Sequence, residues 1–198
     1  LSMPGGGIRT QVLMTAEALA RRGLDVQFHS PWERVDWGQI DLAHVFASDM
    51  RNYYLLKALP AEVPLVVSPI IDTTYPPWVL SGVTGLSRHL PRQVLTSYTS
   101  HALAVAKADA LVAPAAFDVP IFRALGAPAQ RIEVIHNGVD LGFLKATPEL
   151  FVQKHGIEGF VLFVGQVGNP RKNLPRLLRV AAQMPDTGFV LVGPHLET

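Results

Sequence analysis

The feature that most constrains the fold is an alternation of short, β-branched apolar runs with helical segments along most of the chain. Runs typical of buried strands occur at residues 40–46, 63–67, 110–113 and 131–135. Segments with apolar residues three and four positions apart, which is typical of helices, lie between them. Parallel strands need a long crossover connection, so the alternation predicts an α/β fold with a doubly wound, Rossmann-like parallel sheet covered on both faces.

The first helix and the strand after it have the clearest local signals. Apolar residues recur at helical spacing over residues 8–22, and Gly23 follows where a helix would end. The next run, LDVQF at 24–28, alternates apolar and polar residues and predicts a strand. Further helices are predicted at residues 50–59 and 119–125, and along a stretch that ends at Lys107.

The pattern restarts after a loop at residues 137–148. A strand at 160–164, an amphipathic helix at 173–184 and a strand at 189–192 indicate the start of a second Rossmann-like domain. We therefore predict an N-terminal domain over 1–137, a linker over 138–157 and the beginning of a C-terminal domain over 158–198. A doubly wound sheet has a central strand before its first glycine loop, so we expect this chain to be a piece of a longer protein.

Charge and composition exclude several classes of protein. The net charge is +1 and basic residues occur as short pairs, which disfavours a nucleic-acid-binding surface. The absence of cysteine excludes disulfides and thiolate chemistry and favours a reducing compartment. No apolar run reaches the roughly 18 residues of a membrane-spanning helix. We expect a cytoplasmic protein, and the apolar, aromatic segment 73–90 leaves peripheral membrane contact or a lipid-linked acceptor open.

Two glycine-containing segments precede predicted helices. Gly5, Gly6 and Gly7 stand where helix amides and the positive end of the helix dipole favour an anion, although a flexible helix entry would use the same residues. The dinucleotide-binding fingerprint is incomplete, because Thr10 stands where its third glycine would be.

The second segment, GQVGNPRKN, runs from Gly165 to Asn173 after a predicted buried strand. Arg171 and Lys172 stand at the entry of the next helix, where cations are unfavourable by about 0.3–1 kcal/mol each unless an anion lies beside them. A bound diphosphate would relieve that conflict. The alternative is a pair of solvated basic residues in a surface turn, and the order of residues does not fit the P-loop motif.

Longer stretches of the chain resemble a known family. VIHNGVDLGFL, from Val134 to Leu144, and FVLFVGQVGNPRKNLPRLLRVAAQM, from Phe160 to Met184, are similar to segments of the family 4 retaining glycosyltransferases. The resemblance implies a GT-B architecture, in which two Rossmann-like domains face each other across a cleft. It also implies a nucleotide diphosphate sugar as donor substrate, a glycan, lipid-linked or small-molecule acceptor, and no required metal or other cofactor.

The resemblance also assigns residues of the donor site. Lys172 matches the lysine that holds the donor diphosphate, and Gly165 matches the glycine beside it, while Gln166 stands where the family usually has an arginine. A neutral amide supplies no charge to a phosphate, so either Arg171 substitutes or donor binding is weaker. Gly5, Gly6 and Gly7 match the glycine loop of the first domain.

Other residues match the family's cleft. Asn137 and Gly138 match its interdomain cleft, and their turn chemistry is equally consistent with a purely structural role.

The candidate catalytic residues are Asp72 and His44. Asp72 is the nearest match to the His or Asp that relatives place after the fourth strand, and an Asp-Thr turn is the structural alternative. His44, in DLAHVF, resembles the family's DxxHxH strand end with Phe46 in place of the second histidine, and a hydrogen-bonded core histidine is its alternative. His101, near the start of a predicted helix, is a weaker candidate.

The sequence thus favours a retaining, hexosyltransferase-type enzyme that moves a sugar from a nucleotide diphosphate to a hydroxyl group. The alternative is a non-catalytic Rossmann-like module that binds a nucleotide or sugar phosphate. We expect these residues alone to have little transfer activity. The sugar, the nucleobase and the acceptor stay open.

Overall fold

The chain divides into two compact units, unit 1 (Leu1–Gly138) and unit 2 (Val139–Thr198). The computed structural model describes residues 6–30, 32–73, 75–87, 96–167 and 172–193. Unit 1 has the predicted α/β class, with a parallel four-stranded sheet and helices, and is consistent with a Rossmann-like fold.

The helices and strands of unit 1 alternate along the chain. They are α1 (Gly7–Ala20), β1 (Ala43–Phe46), α2 (Tyr53–Ala58), β2 (Leu65–Ser68), α3 (Pro77–Ser87), α4 (Ser97–Lys107), β3 (Ala110–Ala113), α5 (Val119–Ala124) and β4 (Ile132–Val134). Those of unit 2 are α6 (Glu149–His155), β5 (Val161–Val164), α7 (Leu174–Ala181) and β6 (Phe189–Val192).

The sheet of unit 1 is held together by an apolar row that crosses all four strands. The strands are parallel in the order β1-β2-β3-β4, and the register places Val45 beside Val67, Val67 beside Leu111, and Leu111 beside Ile132. Val67 and Leu111 are fully buried at the centre of this row. Burying a side chain of this size stabilises the fold by about 1.5–3 kcal/mol, so the row is a main source of the sheet's stability.

The predicted strand at 24–28 is wrong. Residues 24–30 form no regular element, and Leu24 and Phe28 are 53% and 47% exposed. A strand needs a neighbour for its backbone groups. Among the described residues, β1 pairs only with β2, and nothing pairs with this segment. The doubly wound topology stays a prediction, since the four strands follow one another in a single direction.

The long helical stretch predicted to end at Lys107 contains two described helices, α3 and α4. Thr96 caps α4, because its hydroxyl accepts a hydrogen bond from the amide of Thr99 while the Thr99 hydroxyl accepts one from the Thr96 amide. Ala104 and Val105 of α4 are buried in the core. No helix in the described part of the chain combines the length and apolar character that crossing a bilayer requires.

Unit 2 contains a parallel pair of strands, β5 and β6, with Leu162 beside Val190. The predicted linker at 138–157 contains α6, which ends at Gly156 in the left-handed conformation. The ring of Phe151 in α6 packs 4.8 Å from that of Phe160, just before β5.

We predict that Leu111→Ala lowers the free energy of unfolding of unit 1 by about 2–5 kcal/mol, because it leaves a cavity at the centre of the apolar row. Urea unfolding followed by tryptophan fluorescence measures this loss selectively, since Trp32, Trp37 and Trp78 all belong to unit 1. Leu86→Ala in α3 is the matched control, because Leu86 is 66% exposed and its loss leaves no cavity. Equal losses for the two variants would contradict this account of the core.

Candidate functional site

The carboxyl ends of β1 and β2 meet at one edge of the sheet of unit 1. Beyond β1, the amide of Ala47 donates to the carbonyl of Ser68, and the amide of Ser48 donates to that of Pro69, both at 2.9 Å. The two backbone segments that follow β1 and β2 therefore stay hydrogen-bonded to each other beyond the ends of the regular strands. In open α/β sheets, this edge is where ligands bind.

Two residues at this edge have strained backbones. Ala47 follows β1 with a φ of 66°, and Ile70 follows β2 with a φ of 49°. Positive φ is uncommon for residues other than glycine and is an outlier for a β-branched residue. Such strain costs on the order of 1–3 kcal/mol and concentrates at functional sites, so this edge is the candidate site of unit 1.

A buried serine–histidine pair lies next to this strained edge, because Ser48 directly follows Ala47 in the sequence. The Ser48 hydroxyl lies 3.1 Å from the carbonyl oxygen of Pro69 and 2.6 Å from Nδ1 of His101, on α4. Ser48 is fully buried and His101 is 8% exposed. The helix is fixed to the same loop by Ser100, whose hydroxyl donates to the carbonyl of Asp49 at 2.8 Å.

Two charged groups near this pair are Asp49 and Arg51, and they pair with each other. Burial lowers the pKa of His101, and the Asp49 carboxylate partly opposes that shift. A hydrogen bond from Arg51 lowers the pKa of Asp49, and their side chains form an ion pair with a distance of 2.5 Å between Nη2 and Oδ2. The ring of His101 is therefore neutral at neutral pH and stands beside a carboxylate that already has a cationic partner.

His44 lies within β1 and is engaged by its neighbours. Its Nε2 lies 3.0 Å from the Ser68 hydroxyl, and its ring stacks on Phe46 with 4.1 Å between ring centres. Burial lowers the pKa of His44 to about 4. These contacts match the structural alternative considered for this residue, and its catalytic role stays a prediction.

The other site residues of unit 1 lie in loops at the same edge. Asp72 is exposed, four residues beyond the end of β2. After β4, Asn137 accepts a hydrogen bond from the Gln11 side chain in α1 at 2.8 Å. This bond brings the start of α1, with Gly6 and Gly7, to the end of β4.

Gly6 has a φ of 153°, and a Cβ added at Gly6 or Gly7 would meet no atom within 4 Å. The two glycines therefore border open space. Gly138 is exposed, and Gly5 lies outside the described residues.

Unit 2 places its predicted donor residues around the ends of β5 and β6. The side chain of Lys172 passes over Gly165, with its Cδ 3.5 Å from where a Cβ of that glycine would be. Gln166 is partly buried and Lys172 is exposed, just before α7, while Arg171 lies outside the described residues. The predicted residues Gly165 and Lys172 are thus close together.

Gly193, at the end of β6, is a residue that the sequence reasoning missed. A Cβ at this position would stand 1.7 Å from the carbonyl oxygen of Gly165, so no other residue fits without moving the backbone. The sequence does contain a signal for this glycine. Gly193 directly follows the apolar run 189–192, just as Gly165 directly follows β5. The two glycines let the strand ends approach closely beside Lys172.

No protein-family model matches the chain, and no curated protein matches it either. Within the part of the chain that the structure describes, no three His, Asp or Glu side chains are grouped in a way that could hold a metal ion.

We predict that lowering the pH from about 7 to about 5 destabilises unit 1, and that His44 alone contributes about 2 kcal/mol of the loss. The folded state keeps His44 neutral down to pH about 4. The unfolded chain takes up a proton below about 6.5, so the stability is complete above that pH and falls as the pH decreases toward 4. Urea unfolding at the two pH values measures the difference.

His44→Gln can still bond to Ser68 but has no titrating ring, so its stability should depend less on pH than that of the unmodified chain. His155→Gln, on exposed α6 of unit 2, is the control and should leave the pH dependence of unit 1 unchanged. A His44→Gln chain with the original pH dependence would refute the assignment.

Proposed function

We propose that the chain acts in glycosyl transfer from a nucleotide diphosphate sugar to a hydroxyl acceptor, with retention of anomeric configuration. The supporting observation is the arrangement in unit 2, where the Lys172 side chain lies against Gly165 at the end of a parallel strand and immediately before α7. The resemblance of the segment from Phe160 to Met184 to family 4 glycosyltransferases supplies the reaction.

The donor diphosphate is assigned to the ends of β5 and β6. Lys172 offers an ammonium group just before α7, where the positive end of the helix dipole favours an anion. Gly165 and Gly193 let the two strand ends approach closely beside this lysine. Gln166 contributes a neutral amide, so the positive charge comes from Lys172 and, by the sequence expectation, from Arg171.

This arrangement suits the chemistry of transfer. The bond from the anomeric carbon to the diphosphate oxygen breaks, a bond from that carbon to the acceptor oxygen forms, and the proton of the acceptor hydroxyl passes to the released diphosphate. Negative charge grows on the leaving diphosphate. A lysine beside the positive end of a helix dipole stabilises this charge more in the transition state than in the ground state, which is the condition for catalysis.

In unit 1, the acceptor is assigned to the edge formed by the ends of β1 and β2. The strained residues Ala47 and Ile70 and the exposed Asp72 belong to this edge. On this proposal Asp72 contributes to the acceptor site, and the open space beside Gly6 and Gly7 accepts part of the ligand.

The second candidate function is a module that binds a nucleotide or sugar phosphate without transferring it. It is favoured by one observation, the neutral Gln166 in place of the arginine usual in the family. The two functions share the diphosphate site and differ in turnover. Incubating the protein with UDP-glucose or GDP-mannose and acceptors, and detecting released nucleoside diphosphate together with a glycosylated product, separates them.

We predict that Lys172→Ala weakens binding of UDP or GDP by about 10- to 150-fold, because a charge-assisted hydrogen bond contributes about 1.5–3 kcal/mol. Isothermal titration calorimetry with the two nucleotides measures the change. Lys154→Ala, which removes an exposed lysine of α6 in the same unit, is the control and should bind as the unmodified chain does. Equal affinities for the Lys172→Ala and unmodified chains would contradict the assignment of the diphosphate site.

A further inference from the structure

The contacts of the buried pair of Ser48 and His101 bear on where their hydrogens lie. A serine hydroxyl has one hydrogen, and the carbonyl oxygen of Pro69, 3.1 Å away, can only accept. A hydroxyl that donates to Pro69 has lone pairs left for His101. We therefore place a hydrogen on Nδ1, which makes the 2.6 Å contact between Nδ1 and Ser48 Oγ a hydrogen bond to Oγ. In the neutral ring this leaves Nε2 without a hydrogen, as an acceptor.

Nε2 of His101 is available to a ligand. It makes no hydrogen bond to any residue that the structure describes, whereas every buried side-chain nitrogen and oxygen of those residues has a partner. Nε2 therefore has some exposed surface, although 92% of the residue is covered. A ring held by its buried Nδ1, with its other nitrogen accessible, is preorganised to accept one hydrogen bond.

Two tyrosine rings lie near the His101 ring. Tyr98 precedes His101 by three residues on α4, is partly buried, and its ring centre is 6.5 Å from that of His101. Tyr75 lies 6.3 Å from Tyr98, edge to face, and is 54% exposed. An exposed aromatic ring near a hydrogen-bond acceptor favours a ligand that has both C–H surfaces and hydroxyl groups.

The charges around His101 argue against an ionic ligand. Asp49 and Arg51, on the loop after β1, already pair with each other, and Lys107 at the far end of α4 donates to the carbonyls of Leu56 and Leu59. Helix α3, which packs against α4, has no charged residue in its sequence. The charged side chains of the loop that carries Ser48 are thus already paired with each other.

We propose that His101 Nε2, together with Tyr98 and Tyr75, forms a binding subsite for an uncharged sugar or polyol, in which a ligand hydroxyl donates to Nε2. The inference rests on the proposed function in one respect, since it identifies this subsite with the acceptor. Ser48 is a positioning residue, because it fixes which ring nitrogen is the acceptor and does not itself contact the ligand.

The direct test is NMR of the chain with ¹⁵N-labelled histidine rings at neutral pH. The expected spectrum shows His101 with a protonated Nδ1 and an unprotonated Nε2. Titration with methyl α-D-glucoside or methyl α-D-mannoside should move the Nε2 signal of His101 and leave the rings of His44 and His155 unchanged. A hydrogen on Nε2, or a His101 signal that neither glycoside moves, would overturn the proposal.

Methylammonium chloride is the control ligand for charge. It offers donors to Nε2 without C–H surfaces of sugar size, and it should leave the His101 signal in place. A response to methylammonium but not to the glycosides would also overturn the assignment. None of these probes contains a nucleotide, so the result is independent of the UDP and GDP titrations that test the proposed function.

Variants separate the roles of the two ring nitrogens. His101→Asn retains an amide donor near the position of Nδ1 but removes the acceptor at Nε2, so glycoside binding should weaken by about tenfold or more. Ser48→Ala leaves the ring in place without its partner, and should show a mixture of tautomers with a smaller loss of binding. His101→Asn with undiminished binding would contradict the proposal.

Ser100→Ala is the matched control for Ser48→Ala. It removes another buried hydroxyl that connects α4 to the same loop, but one that has no contact with the His101 ring. It should keep a single His101 tautomer and bind the glycosides as the unmodified chain does. A loss equal to that of Ser48→Ala would show that Ser48 has only a structural role.

Discussion

Parallel pairing of β1 with β2 determines most of what is distinctive about unit 1. The register that sets Val45 beside Val67 also brings the chain after β1 against the chain after β2, where Ser48 bonds to Pro69 through both its amide and its hydroxyl. Parallel strands bring their carboxyl ends to one edge. The site therefore depends on a register that the apolar core enforces, because a slip of one residue would turn the buried side chains toward the opposite face.

The strained backbone at Ala47 and Ile70 follows from the same constraint. Each residue leaves a strand whose end is fixed by the ladder, and each must turn while its neighbours stay paired. Burial of Val67 and Leu111 in the central row of the sheet offsets the free-energy cost of this backbone strain. The stable centre of the sheet thus supports a strained edge, which is common at functional sites.

Elements with strong local signals were predicted from the sequence. Residues 110–113 were predicted as a strand and form β3, and the helix expected at 8–22 is α1 from Gly7 to Ala20. The segment 24–28 had an equally good alternating pattern but is not a strand, because strand formation depends on a neighbour that a local pattern does not reveal. Gly165 and Lys172 lie close together because they are seven residues apart around one strand-to-helix turn, and their role in a donor site stays a prediction.

The candidate site of unit 1 was predicted less well, and the reason is physical. Ser48 and His101 are separated by 53 positions and share no motif, so their contact arises only from the packing of α4 against the ends of β1 and β2. Positive φ at Ala47 and Ile70 leaves no trace in composition, because neither residue is glycine. His44 had the stronger motif, yet in the structure its Nε2 is already engaged by Ser68.

We propose that ligands bind this chain at the carboxyl ends of its parallel strands. Hydrogen–deuterium exchange, with and without UDP-glucose or GDP-mannose, tests this across the whole chain in one measurement. We expect slower exchange at residues 47–52 and 69–73 of unit 1, and at 165–167 and 172–176 of unit 2. Protection confined to the opposite edge of the sheet, at residues 41–43 and 62–64, would contradict it, as would no protection with either nucleotide sugar.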